Sequence, residues 1–147
     1  MCSNLRLSKS KSVVRGHRVP FITNLELGPR EGLFGLNNGL IYNARSEGLK
    51  SSNSVWYDKV YKRGIVEIEG FHEGSADFIH EQRKSMYVAI LYNDQNEFTV
   101  LTENSAGIVA MHHLRMPVLL DDDKSSLKVW LDEGRIIHLK PQLIRRA

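Results

Sequence analysis

Short apolar runs separated by turn residues dominate the chain, and few of them have helical spacing. Ile65-Val66-Glu67-Ile68-Glu69 alternates with period two, as a strand with one buried face should. Met86 to Tyr92 is nearly continuous apolar and predicts a central strand. Asn93-Asp94-Gln95-Asn96 then turns the chain into Phe98-Thr99-Val100-Leu101-Thr102, the second half of the same hairpin. Val13-Val14 and Val19-Pro20-Phe21-Ile22 predict edge strands, because Pro donates nothing to a ladder. Gly28 to Gly32 reads as a turn. Leu33 to Leu36 and Leu40 to Ala44 flank Asn37-Asn38-Gly39, which predicts a hairpin. Residues 3–12 have no clear period and read as loop or irregular strand.

Helical signals are few. Ser51 to Lys62 opens on Ser and Asn capping material and carries Trp56 and Val60, with Tyr57 and Tyr61, on one face. Asn104 can cap a short helix over Ser105–Met111. Ser125 or Ser126 can cap another through Leu131, stopped by Gly134. Val118 to Leu120 and Arg135 to Leu139 read as the last strands. Strands outnumber helices and most connections are short. The fold class expected is therefore α+β, a single domain over residues 1–147, mainly antiparallel sheet with a few short helices.

Composition narrows the class. At 147 residues, 41% hydrophobic and 25% charged, the chain matches an ordinary globular domain. No apolar run approaches the ~20 residues of a membrane span, and no signal peptide is read before residue 2. A soluble cytoplasmic protein is expected. The single Cys excludes an internal disulfide framework and a thiolate zinc cage. The net charge of +3 is uneven: Arg6, Lys9, Lys11, Arg15, Arg18 and Arg30 face only Glu26 within the first 30 residues. Such a basic segment is an electrostatic footprint for a polyanion, or a solvated terminus.

Four groups of residues could carry chemistry. The lone Cys is Cys2, directly after Met1. Removal of Met1 would leave a free amine and a thiol on adjacent carbons. The amine titrates near ~7.7–8.0, so part of it is nucleophilic at neutral pH, and neighbouring cations lower a thiol. A 1,2-aminothiol condenses with an aldehyde through an imine to a five-membered thiazolidine. Glu73, in Gly70-Phe71-His72-Glu73-Gly74, follows an alternating strand and could move protons, or be a loop carboxylate at the surface. Asn43-Ala44-Arg45-Ser46-Glu47 leaves a strand with amide groups and a guanidinium fork that fits phosphate or carboxylate. In His112-His113-Leu114-Arg115-Met116-Pro117, one His could transfer protons while Arg115 holds an anion or an internal carboxylate. The six His residues show no i, i+4 helical pair or HExxH pattern, and no Gly-rich phosphate loop or GxSxG elbow is present, so no metal or cofactor is expected.

In this order, Met1-Cys2, Asn43-Ala44-Arg45-Ser46-Glu47, Gly70-Phe71-His72-Glu73 and His113-Leu114-Arg115-Met116-Pro117 resemble the motifs of the SRAP family, the SOS-response-associated peptidase domain. The resemblance covers most of the chain. Among the departures from its pattern, Ser3-Asn4 stands for Gly-Arg, Gly74 for a Trp, and Leu114 for an acid. The family's Tyr-Asn-x-Ala-Pro stretch is missing, and Phe21-Ile22-Thr23-Asn24 is its only remnant. The chain is also shorter than typical members and reads as a minimised form from a bacterium or phage.

The resemblance implies an SRAP-like fold with a barrel-like core. It also implies a covalent sensor of abasic sites in single-stranded DNA, acting as a nucleoid-associated monomer. Cys2 would be the nucleophile that forms the thiazolidine cross-link. Asn43, Glu73 and His113 would complete the catalytic set: Glu73 shuttling protons, Asn43 bonding the N-terminal residue or sugar, His113 assisting transfer or reversal. Arg45, Asn24, Arg115, Lys9 and Lys11 would contact DNA. Two alternatives stand beside this: a thiol autopeptidase, and a noncovalent single-stranded DNA-binding module.

Overall fold

In a computed structural model of the chain, β9 (Met86–Tyr92) and β10 (Glu97–Asn104) form the hairpin read from sequence, with Tyr92 opposite Phe98. The description covers residues 4–8, 10–51, 53, 54, 56 and 61–147. Cys2, Lys9 and half of the expected helix over Ser51–Lys62 (residues 52, 55 and 57–60) lie outside the described residues.

The hairpin sits in the larger of two sheets. On its β9 side it takes β6 (Lys62–Ile68) and β12 (Leu119–Leu120), both antiparallel. β10 takes β11 (Arg115–Pro117) antiparallel, and two short strands, β4 (Arg30–Phe34) and β5 (Asn43–Arg45), in parallel. β3 (Arg18–Phe21) closes the edge beyond β4, so Pro20 sits on an edge strand as its missing N–H requires. The second sheet runs in the order β13 (Ile144–Arg146), β8 (Ala76–His80), β7 (Gly70–Glu73), β1 (Asn4–Ser8), β2 (Lys11–Val14). Together the strands form a mostly antiparallel, partly mixed sheet system with a half-barrel curl.

Two apolar clusters hold it. Leu5, Phe71 and Phe78 of the smaller sheet meet Phe34, Val66 and Phe98 of the larger one, all essentially inaccessible to water. Each such side chain contributes roughly 1.5–3 kcal/mol of transfer free energy. On the other face of the larger sheet, Trp130 of α2 (Lys124–Glu133) packs with Ile65 and Leu101, and its indole N–H donates to the Gly64 carbonyl at 2.9 Å. Gly134, with φ of 75°, terminates α2 in the left-handed conformation expected of a glycine stop.

Several local expectations are corrected. For residues 3–12 the irregular-strand option holds where the chain is described: β1 pairs with β2, with a register shift between Arg6 and Ser8 and mixed burial along both strands. The Asn37-Asn38-Gly39 signal does mark a turn: both Asn residues have positive φ. It is the short helical turn α1 (Leu36–Gly39), however, and its flanks share only the Leu36–Ile41 bridge. β4 and β5 instead both pair with β10. The Glu97 carboxylate accepts both turn N–H groups, Asn37 and Asn38, at 3.1 Å each; the Asn93 side-chain amide first, and then these two bonds, hold Glu97 below the usual carboxylate range.

Residues Gly107–Met111 form a 3-10 turn with Ala106 at its start. Asn104 ends β10 and accepts from Arg115, so it does not cap that turn. Asp123, not Ser125 or Ser126, occupies the N-cap position of α2. Arg135–Leu139 makes only a His138–Leu120 bridge, and β13 is the last strand.

Candidate functional site

β10 decides which motifs meet. Its register places Arg45 of β5 beside Thr102 in parallel, and Arg115 of β11 beside Asn104 in antiparallel. The Asn-Ala-Arg and His-x-Arg-Met-Pro segments therefore flank the same strand end. Arg115, only 8% exposed in its side chain, grips the Glu47 carboxylate with both terminal nitrogens, at 2.6 and 3.1 Å. Its remaining bonds go to Asn104 Oδ1 at 3.0 Å, and to the carbonyl and hydroxyl oxygens of Thr102 at 2.8 and 3.2 Å. This planar fork lowers the Glu47 carboxyl to about 2, chiefly through the Arg115 hydrogen bonds. Of the two roles open to Arg115, its guanidinium performs the internal one, tying the 3-10 turn Ser46–Lys50 to the His113 loop.

Glu73 is reached from the other sheet. It ends β7 and pairs with Ala76 across a two-residue turn whose first residue, Gly74, has φ of 62°. That sign of φ suits the tight hairpin turns that match strand twist. The turn lies against the loop after the 3-10 segment: a β-carbon on Gly74 would stand 2.6 Å from the His112 carbonyl oxygen. The His112 ring packs edge-on against Phe78 at 5.6 Å. Its neighbour His113 places Nδ1 3.0 Å from Glu73 Oε2. The Glu73 side chain is fully buried, while that of His113 is 32% exposed.

The two histidines thus divide the labour left open by the sequence. His112 packs and His113 meets the acid. The His113 backbone is held by Ser105, whose hydroxyl donates to the His113 carbonyl at 2.5 Å. Nδ1 also lies 3.0 Å from the Arg115 carbonyl and 3.1 Å from the Arg115 N–H. With Nδ1 protonated, the ring donates to an ionised Glu73. With the proton on Glu73, the same bond runs in reverse. A buried carboxyl in contact with a part-exposed imidazole is a pair that can exchange a proton between core and solvent.

Asn43 begins β5 opposite Val100, half buried, and its amide donates to the Tyr42 carbonyl at 2.8 Å. Asn43 and Arg45 line a cavity of about 540 Å³, with Glu47, Arg115 and Trp56 also on its wall. Arg45 is exposed and, among the described residues, forms no ion pair. Asn24 lies elsewhere: it is exposed in a loop and accepts the Glu26 N–H at 2.8 Å. Lys11 is exposed on β2. Cys2 and Lys9 fall outside the described residues. Among those that are described, no three His, Cys, Asp or Glu residues group so as to hold a metal ion, and no helix is long and apolar enough to cross a membrane.

The sequence reading missed two features. Trp56, expected on an apolar face, does pack on the cluster under α2 and also lines the cavity. Glu103, raised chiefly by burial, meets His138 at 2.6 Å on the other side of β10. Neither pairing has a local signal, since each depends on residues far apart in the chain.

The fold has known counterparts. The family model for SRAP, SOS response associated peptidase, matches residues 35–144. The chain belongs to the SRAP family. No curated protein matches it. Among solved structures, a Bordetella bronchiseptica protein superposes with a TM-score of 0.75 at 16% identity, covering 99% of this chain and 98% of the other. A Bacteroides thetaiotaomicron protein gives 0.71 at 17% identity, covering 95% and 78%. A phage-related protein from Bordetella bronchiseptica gives 0.62 at 15% identity, covering 92% and 79%. At these identities the likeness is one of fold.

Proposed function

We propose that this chain captures abasic sites in single-stranded DNA as a covalent cross-link through Cys2, exposed by removal of Met1. The observation that carries the reading is the contact between buried Glu73 and His113 at 3.0 Å. It supplies an acid–base pair at the end of the strand that neighbours the N-terminal one. Asn4, the first residue of β1, lies opposite His72, one residue from Glu73.

The open form of an abasic sugar carries an aldehyde at C1′. The Cys2 amine attacks that carbon, and the carbinolamine loses its hydroxyl as water to give an imine. The thiolate then adds to the imine carbon and the nitrogen takes up a proton, closing the thiazolidine. The net change is loss of one water. Glu73, through His113, donates the proton that makes hydroxyl a leaving group and accepts one from the thiol. Asn43 orients the N-terminal residue or the sugar. Arg45, exposed beside the cavity, holds a flanking phosphate, which makes binding salt-sensitive.

The test is untagged protein incubated with an oligonucleotide bearing one abasic site. A heat-stable shifted band should form and vanish in Cys2→Ala. No band from protein that mass spectrometry shows to lack Met1 would overturn the proposal. The family description as peptidase favours a second reading, in which the same acid–base pair serves Cys2 as a peptidase nucleophile. Intact mass separates them: if Glu73→Gln and Asn43→Ala still lose Met1, an external aminopeptidase suffices. Reversible, salt-sensitive binding indifferent to the abasic site would instead mark a noncovalent DNA-binding module.

A further inference from the structure

We infer that Trp56 is the stacking platform of a nucleotide subsite, taking an unpaired base of the same single strand whose phosphate meets Arg45. The inference rests on the reading above for its ligand, and on the cavity for its geometry. The cavity, about 540 Å³, falls within the size range of small-ligand sites. Trp56 is half buried. One side of it packs against the apolar cluster under α2, with Tyr61 at 5.2 Å between ring centroids, and it also lines the cavity. An indole backed by the core and bordering an open cleft offers an apolar flat surface at little cost in conformational freedom.

The space is built into the chain. A β-carbon on Gly48 would lie 2.6 Å from the Ser54 hydroxyl and 3.1 Å from Cδ1 of Trp56. Only the missing side chain at Gly48 lets Ser54 and Trp56 fold back over the turn. Ser54 in turn accepts the Trp56 N–H at 3.2 Å, which fixes the residue that carries the indole.

The other walls select the class of ligand. Two arginines line the cavity, and Arg115 is already committed to Glu47, Thr102 and Asn104. Among the described residues of the lining, the cation left for a ligand is Arg45. Asn53 and Ser51 add hydrogen-bonding groups without charge. A flat apolar surface, one available guanidinium and neutral polar groups match a nucleotide: base on indole, phosphate on guanidinium, base edge on amide and hydroxyl. Every base has a π-face, so the subsite is tolerant of sequence.

Trp56 and Trp130 are the only tryptophans, and Trp130 is fully buried. Intrinsic fluorescence therefore reports the subsite directly. A thymidine 12-mer without an abasic site should quench part of the emission of Cys2→Ala protein, with the buried fraction unmoved. Trp56→Leu should lose the quenching and bind the labelled 12-mer at least 10-fold more weakly by anisotropy. Trp56→Phe, which keeps a ring, should bind within about 3-fold of the parent and so separates stacking from a folding defect. Saturable 12-mer binding without quenching, unchanged affinity in Trp56→Leu, or no binding of the 12-mer at all would each overturn the inference.

The two proposals fail separately. Quenching in Cys2→Ala with no cross-link from wild type removes the covalent function and leaves the subsite. A cross-link with unmoved fluorescence does the reverse.

Discussion

A β-carbon at Gly74 would stand 2.6 Å from the carbonyl oxygen of His112. The missing side chain is thus what lets the β7–β8 turn seat against the loop carrying His113, and so brings Glu73 within 3.0 Å of the imidazole.

Gly74→Ala should open that contact. It adds a β-carbon to a residue at φ of 62° and forces the turn off the His112 carbonyl. Strain of this kind costs about 1–3 kcal/mol. Urea denaturation should show that loss. The rate of cross-linking to abasic DNA should fall at least ~10-fold, because the proton relay depends on the same contact. A rate equal to wild type would show that the relay does not use it.

Glu73→Gln should keep the hydrogen bond to His113 in one orientation while removing proton exchange. Capture should slow by roughly 10²–10⁴, the range of general acid–base contributions. Affinity for an intact oligonucleotide should not change. Rapid-quench gel assays across pH, compared with anisotropy, separate the two effects.

The Glu47–Arg115 fork should make stability sensitive to acid. The Glu47 carboxyl lies at about 2 in the folded chain against an ordinary value of 4.5. Its contribution is therefore complete above pH 4.5 and lost as pH falls towards 2. Because 53% of the Glu47 side chain meets water, solvent screening limits it to about 1 kcal/mol. Glu47→Gln should flatten that part of the stability curve, measured by urea melts from pH 5 to pH 2.

Trp130→Phe should leave the Gly64 carbonyl without its 2.9 Å partner and open space beneath α2. The expected loss is about 2–4 kcal/mol. Equilibrium unfolding followed by circular dichroism would measure it, with no direct effect on the Glu73–His113 contact in the other half of the fold.

Elements whose signal is local were legible. The β9–β10 hairpin followed from an apolar run, a polar turn and a second run. Gly134 ended α2 because the left-handed conformation there favours glycine at any tertiary packing. Asn37-Asn38-Gly39 was legible as a turn, since positive φ is a property of those residues. Its role in the sheet was not. β4 and β5 could pair with each other or with a distant strand, and only the folded chain shows both in parallel on β10.

The candidate site divides in the same way. Sequence determined the chemical inventory: one thiol next to the first residue, a Glu after an alternating strand, a His before an Arg, and the order that places this chain in its family. Tertiary structure decided their assignments. It set His113 against Glu73 and His112 against Phe78, committed Arg115 to Glu47, left Arg45 exposed, placed Asn24 outside the cavity and put Trp56 on the cavity wall. The reason is physical. Residue type and spacing limit what a side chain can do, while hydrogen-bond partners and burial are set by strand pairing between segments far apart in the chain. β10 is the strand on which those pairings converge.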